Sequence, residues 1–263
     1  MITRNIDCVI ERRLLVNYRI DPQYVAALLP CDFRPQLVGG HAVGGVCFIR
    51  LGGARPARLP RAAGMTSENV AHRFAVEWDD AQGSHAGVYV PRRETSSRIT
   101  ATAGRHLFPG AYHHARFRVA EQKDRIRIDV RSEDGQVALS AEATPALTLT
   151  SELFPAIADA IDFFRQGTCG FSPAAAAHRR MDSVRLHAAS WAAKPMTMSR
   201  MQSSLFDDAT LFPDGACTLD SALLMTNITA RWTALSRRGK ESHGTPACTD
   251  ICPGTAPLGP VSS

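Results

Sequence analysis

Residues 115–143, ARFRVAEQKDRIRIDVRSEDGQVALSAEA, show the clearest periodicity in the chain. Phe117 and Val119 alternate with arginines, and the β-branched residues of RIRIDVRS (125–132) alternate with charged ones. Alternation with a period of two is typical of β-strands that have one buried and one solvated face. Polar turns, the second at Asp134–Gly135, separate three such strands. We therefore predict an antiparallel meander.

Strand patterns also dominate the rest of the chain, and helical patterns are few. Asp21 is a suitable N-cap and Pro22 a suitable first residue for a short helix that Pro30 ends. We predict strands at 8–20, 41–51, 68–78, 85–93 and 218–232, strand-like patterning at 183–206, helices at 22–29, 95–104 and 152–166, and a loop at 52–66.

Strands and helices do not alternate at regular spacing, which favours an antiparallel-rich α+β architecture over a doubly wound sheet. From Ser236 onward the composition changes to Pro, Gly, Ser and Thr with little to bury. We therefore predict one domain over residues 1–235 and a disordered tail at 236–263.

Composition excludes several classes of protein. The net charge is +5, but the arginines are scattered, so we expect no nucleic-acid partner. No apolar run approaches the roughly 20 residues of a membrane helix, and no signal peptide is apparent, so we expect a cytoplasmic protein without a membrane partner. The cysteines number seven, which is odd, and their spacing is mostly wide, which argues against a disulfide framework. The adjacent histidines are a poor metal pattern, and we predict neither a metal nor a cofactor.

Several long segments carry a family resemblance. NYRIDPQYVAALLP, SENVAHRFAVEWDD, GVYVPRRETSSR, GRHLFPGAYHHARF and LFDDATLFPDGACTLDSALLMTNITARW resemble the YqjF-like branch of the acetoacetate decarboxylase-like superfamily, over about residues 8–233. The resemblance implies a β-rich cone or closed barrel, with a few short outer helices and an internal pocket. It also implies that the protein could form a homo-oligomer.

The resemblance also assigns individual residues. Tyr18-Arg19-Ile20-Asp21 is similar to the decarboxylase's Y-R-T-D motif, and Glu68 and Glu94 are similar to its two glutamates in order and approximate spacing. The decarboxylase's paired lysines should follow Gly104-Arg105. Residues 106–114 are instead HLFPGAYHH, which contain no lysine.

The missing lysine bears directly on the chemistry. A lysine beside a second cation has a lowered pKa and forms a Schiff base with a keto substrate, and neither arginine nor histidine replaces it. Lys194, directly before a proline, is expected at the surface. We therefore predict a pocket that binds a small organic acid or keto compound, with a lyase- or isomerase-type reaction that uses no imine. The alternative is a non-catalytic ligand-binding or sensing module.

The candidate site residues each have a structural alternative. Arg19 could hold a substrate carboxylate or form an ion pair with one of the two glutamates. Glu68 and Glu94 could transfer protons or form salt bridges. His72 lies four residues after Glu68, so both should share one face of a strand.

The segment that replaces the lysines supplies further candidates. Tyr112, His113 and His114 could act as acids or bases, and on a strand only one of the two histidines would face the pocket. Arg92 and Arg98 lie close to Glu94 in sequence, and they could bind an anionic ligand or belong to a charge network.

Overall fold

The computed structural model describes residues 5–107, 109–174 and 177–235, with side chains outside 103–107 and 177–180. The predicted tail at 236–263 therefore lies outside the described residues. The α-helices are α1 (Pro22–Leu28), α2 (Arg98–Leu107) and α3 (Ile157–Gln166). The strands are β1 (Asn5–Ile20), β2 (Arg34–Pro35), β3 (Leu37–Val38), β4 (His41–Pro56), β5 (Met65–Asp80), β6 (Gly83–Thr95), β7 (His113–Gln122), β8 (Arg125–Ser132), β9 (Ala138–Pro145), β10 (Cys169–Ala174), β11 (Ala177–Ala188), β12 (Lys194–Ser203) and β13 (Cys217–Ala234).

The predicted meander forms β7, β8 and β9, and the predicted hairpin forms β5 and β6. The cap of α1 is also confirmed, because Asp21 Oδ1 accepts a hydrogen bond from the Gln23 backbone N–H at 3.1 Å. Helix α3 begins at Ile157 instead of 152, since Pro155 disfavours helical geometry at the preceding residue.

The predicted loop at 52–66 is too long. β4 continues to Pro56, because β-bulges in its pairing with β1 let the strand pass its glycines. Gly53 has a φ of +59°, which glycine adopts without strain. Only a short connection with a 3₁₀ turn at Arg61–Ala63 then leads to β5.

The strands form one mixed, mainly antiparallel sheet that closes on itself twice. Its order is β11-β10-β6-β7-β8-β9-β12-β13-β1-β4-β5-β2, with further pairings of β11 with β13 and of β6 with β5. Strands β13, β1, β4, β5 and β6 therefore belong to two closed rings, and we call them the shared wall. Strands β10 and β11 complete the small ring, and β7, β8, β9 and β12 complete the large ring. The predicted β-rich closed barrel with few helices is confirmed.

The shared wall is buried on both faces. On the large-ring side, Leu14 and Val16 belong to one core cluster together with Ile128 of β8. On the small-ring side, Leu15 belongs to a second cluster together with Phe164 of α3. Neighbouring residues of β1 thus face opposite cores, which explains why Leu14, Leu15 and Val16 are consecutive apolar residues.

No helix in the described part of the chain is long and apolar enough to cross a membrane.

Candidate functional site

The small ring contains a cavity of about 260 Å³, lined by residues from all seven of its strands. The lining is mainly aliphatic, with a small number of polar groups. Such a combination is typical of small-molecule sites, and the volume lies just below their usual range of about 300–1,000 Å³. Met65 and Ile99 line the cavity and are 41% and 58% exposed, which marks the side open to solvent.

Four arginines of the shared wall line this cavity. Arg55 donates to the backbone carbonyl oxygens of Gly53 and Leu59, and the other three are carried by β1, β5 and β6. Cys47 in β4 lies opposite Ala71 in β5, and Ala71 lies opposite Arg93 in β6. Arg73 follows Ala71 by two residues and so shares its face of the strand. Arg13 in β1 completes the group, because its Nε donates to Cys47 Sγ at 3.4 Å.

Arg73 is the most deeply buried of the three, at 4% exposure. Its Nη2 donates to Asn17 Oδ1 at 2.5 Å, its guanidinium lies 4.6 Å from the centre of the Phe164 ring, and its Nε has no hydrogen-bond partner. Burial and, to a smaller extent, the charge of Arg13 lower the pKa of Arg73 from its ordinary value to about 10. The side chain can cross to Asn17 because Gly45 lies between them, where an added Cβ would be 3.2 Å from Arg73 Nη2.

Arg13 and Arg93 are half-buried and have different surroundings. Arg13 Nη1 is buried without a hydrogen-bond partner. Arg93 Nη1 donates to Ser172 Oγ at 2.7 Å, and its guanidinium lies 5.9 Å from the centre of the Tyr112 ring. Gly110, at φ +117°, leaves room for Arg93, because an added Cβ would lie 2.5 Å from Nη1.

Glu94 also contributes to the cavity lining and is fully buried. Its Oε1 accepts a hydrogen bond from Arg92 Nε, whereas its Oε2 is buried without a partner. Burial raises the pKa of Glu94 from 4.5 to about 7, against the opposing effect of Arg92. Glu94 is therefore a carboxyl group that can hold or release a proton near neutral pH. Tyr112 is the other residue predicted from the sequence that lines the same cavity.

Arg92 does not line the cavity. Its Nη2 lies 2.5 Å from Asp134 Oδ2, and its Nη1 donates to Gln136 Oε1 at 2.5 Å. The pKa of Asp134 is about 2, because hydrogen bonds from Arg92 and Ser132 outweigh partial burial. The charge of Arg92 is thus already balanced by a carboxylate.

The remaining sequence candidates lie in other places. Arg19 is partly exposed and forms an ion pair with Glu152 at 2.7 Å. Glu68 and His72 do share a face of β5, but Glu68 pairs with Arg12 at 2.5 Å, whereas His72 is buried with Nε2 at 3.1 Å from Ser203 Oγ.

The paired histidines and Arg98 surround the turn between β8 and β9. His113 Nδ1 lies 3.9 Å from Asp134 Oδ2, and His114 Nδ1 lies 2.9 Å from Glu133 Oε1. Arg98 is largely exposed and lies 3.3 Å from the same Glu133 carboxylate. None of the three belongs to the cavity lining.

Neither of the two lysines in the described residues lines the cavity. Lys123 and Lys194 are exposed, on the turn after β7 and at the start of β12. Lys240, the remaining lysine of the sequence, lies outside the described residues. In the part of the chain that the structure describes, no three His, Cys, Asp or Glu side chains gather as a metal site would require.

Sequence reasoning missed Arg13, Arg73 and Cys47. One signal was present, because Arg73 is a charged residue at the centre of the apolar segment VAHRFAVEW. A strand that is buried on both faces must bury such a side chain, and a buried arginine needs a partner or a ligand. That β5 is buried on both faces follows from the two ring closures, which the sequence pattern does not indicate.

The fold is that of acetoacetate decarboxylase-like proteins. It matches the crystal structure of acetoacetate decarboxylase from Legionella pneumophila with a TM-score of 0.56 and 13% identity, over 90% of this chain and 91% of that one. An acetoacetate decarboxylase-like enzyme from Sphingomonas wittichii matches with a TM-score of 0.57 and 14% identity, over 90% and 95%. The enduracididine biosynthesis enzyme MppR complexed with pyruvate matches with a TM-score of 0.56 and 11% identity, over 90% of each chain.

The chain belongs to the family DUF2071, described as an uncharacterized conserved protein, whose model matches residues 9–223. The resemblance predicted from the motifs is confirmed. No curated protein matches the sequence.

Proposed function

We propose that this protein binds a small organic acid or keto acid in the small-ring cavity and holds it through guanidinium groups, without a Schiff base. The observation that carries this proposal is the arrangement of Arg13, Arg73 and Arg93 around a cavity of metabolite size. No carboxylate in the described ranges forms an ion pair with any of them. Buried charges are paired or bind ligands in stable proteins, and guanidinium groups match carboxylates in shape and charge.

The second part of the proposal concerns proton transfer. Glu94 borders the cavity, with its carboxyl group on the face of β6 that also carries Arg92. Its free Oε2 and its pKa of about 7 suit a general acid or base at neutral pH. Tyr112 can donate a hydrogen bond from the same lining. Fixed guanidinium groups would stabilise negative charge that develops on a carbonyl oxygen when a proton leaves the adjacent carbon. We therefore assign a lyase- or isomerase-type proton transfer to Glu94.

The loss of the lysine is consistent with this chemistry. The described lysines are exposed, so covalent capture of a keto group in the cavity has no amine available. Arginine and a protonated carboxyl can still bind and polarise the same group without forming a covalent bond. The structure of MppR with pyruvate illustrates that the fold accommodates a keto acid, in that protein.

Binding and turnover are tested separately. Thermal-shift titrations with pyruvate, acetoacetate and 2-oxoglutarate should raise the melting temperature of the wild-type protein, because ligands that bind only the folded state stabilise it. Arg73→Met should abolish the shift. Arg118→Gln, which changes an exposed arginine on β7, should leave the shift unchanged. Absence of any shift in the wild type would contradict the proposal.

Turnover is measured by proton NMR in deuterated water. The hydrogens next to the carbonyl group of the bound compound should exchange faster with the wild-type protein than with Glu94→Gln. Binding without accelerated exchange or product formation would instead identify the protein as a non-catalytic ligand-binding module, and the catalytic role of Glu94 would be rejected.

A further inference from the structure

The charge of the cavity is not balanced by the described residues. Elsewhere in the molecule, deeply buried arginines have carboxylate partners. Arg12, at 1% exposure, lies between Glu68 and Glu121, and the Arg92 side chain, at 11% exposure, contacts Asp134. Arg13, Arg73 and Arg93 differ, because their hydrogen-bond acceptors are a thiol, an amide and a hydroxyl. Arg73 is buried and the other two are half-buried, and neutral acceptors do not cancel the cost of desolvating these charges.

The three guanidinium groups lie towards two ends of the cavity. Arg73 extends back across the sheet to Asn17 of β1, the strand that also carries Arg13, and Arg13 is close enough to lower its pKa. Arg93 extends in the other direction, to Ser172 of β10. Of these three positive charges, two therefore lie towards the β1 end of the cavity and one towards the β10 end. Arg55, the fourth arginine of the lining, donates to backbone carbonyl oxygens.

We propose that the cavity selects a dianionic ligand, a short dicarboxylate with one carboxylate at Arg13 and Arg73 and the second at Arg93. This proposal rests on the proposed function and specifies its ligand class. A monocarboxylate would occupy one end and leave the other end desolvated and unpaired. The volume of about 260 Å³ restricts the dicarboxylate to a short chain. The aliphatic lining between the two ends suits the methylene groups that connect the carboxylates.

The test compares pairs of ligands in which one member has a second carboxylate where the other has a methyl group. 2-Oxoglutarate and 2-oxopentanoate have the same number of carbons and the same keto group, but only the first is a dianion. Isothermal titration calorimetry at fixed ionic strength should give an affinity at least about tenfold higher for 2-oxoglutarate, because it forms a further charge-assisted contact. Succinate and butanoate form a second matched pair that lacks the keto group, and they should show the same order.

The variants locate the second carboxylate. In Arg93→Gln the affinity ratio of the two oxo acids should fall towards one, and Arg13→Gln should have the same effect from the opposite end. Arg118→Gln is the control and should keep the wild-type ratio. Circular dichroism and the melting temperature of each ligand-free variant establish that it folds. If one variant does not fold, the affinity ratio measured with the other variant decides the test.

The outcomes separate the two proposals. Equal affinity for 2-oxoglutarate and 2-oxopentanoate would overturn the dianion proposal while leaving organic-acid binding in place. An affinity ratio that persists in both Arg93→Gln and Arg13→Gln would also overturn it. Failure of every one of these acids to bind would reject the proposed function itself.

Discussion

Replacing Arg73 with methionine should stabilise the ligand-free protein and abolish ligand binding. Burial and the charge of Arg13 lower the pKa of Arg73 from 12.5 to about 10. A lowered arginine pKa means that the unfolded chain holds the proton more tightly, so the charged side chain destabilises the folded state at neutral pH. At about 1.4 kcal/mol per unit, this cost is about 3 kcal/mol.

Methionine preserves the apolar stem of Arg73 but loses two favourable contacts. Asn17 Oδ1 would lose its donor, and the contact with the Phe164 ring would lose its charge. Together these losses cost about 2 kcal/mol. The expected net change is a gain of about 1 kcal/mol in the free energy of unfolding at pH 7, by subtraction of these two estimates.

Arg12 offers a matched control for the same substitution. It is also buried, but Arg12→Met removes a partner from Glu68, whose side chain is only 13% exposed. Breaking a buried ion pair from one side costs about 3 kcal/mol. The two Arg→Met variants should therefore change stability in opposite directions.

The assay is urea unfolding followed by tryptophan fluorescence, in a buffer without carboxylates or phosphate. A loss of 2 kcal/mol or more in Arg73→Met, similar to that of Arg12→Met, would refute the reasoning. Such a loss would mean that the protein compensates the Arg73 charge and that the cavity does not require an anion.

Three further predictions concern single residues. From pH 5 to 8, the stability of the wild type relative to Glu94→Gln should fall by about 2.5 kcal/mol in urea unfolding, because the folded protein keeps the Glu94 proton up to a pKa of about 7. Burial lowers the pKa of His72 to about 4, so the wild type should lose about 2 kcal/mol relative to His72→Gln between pH 7 and 4.5, as the unfolded chain takes up the proton first. Gly110→Ala should cost about 1–3 kcal/mol of stability and weaken 2-oxoglutarate binding in calorimetry, because its Cβ would displace Arg93.

The sequence predicted most of the strands because their patterns are local. The alternation in β7 and β8 depends only on one face being exposed, and the helix at Pro22 depends on its cap and flanking prolines. The short strand β10, at Cys169–Ala174, was missed. Its partners β6 and β11 are defined by ring closure, which no local pattern encodes.

The candidate site was only partly predictable for a related reason. Glu94 and Tyr112 were selected because they are similar in position to residues of the decarboxylase, and both line the cavity. Arg19 was selected in the same way, but it lies near Glu152. Arg13 and Arg73 lie within strands and carry no recognisable motif, so their role depends on which face of the shared wall they occupy.

The pair Arg92-Arg93 shows that the face of the strand on which an arginine lies determines which partners it contacts. Adjacent residues of a strand point to opposite sides, and β6 is a strand on which both sides are enclosed. Arg92 therefore meets the carboxylate of Asp134, whereas Arg93 faces the small-ring cavity and contacts the hydroxyl of Ser172 and the ring of Tyr112. The same residue type is a structural ion-pair partner at one position and, at the next, forms no ion pair with a described residue. Because the second arrangement costs free energy in the ligand-free protein, the simplest physical reason for its presence is the anion that completes it.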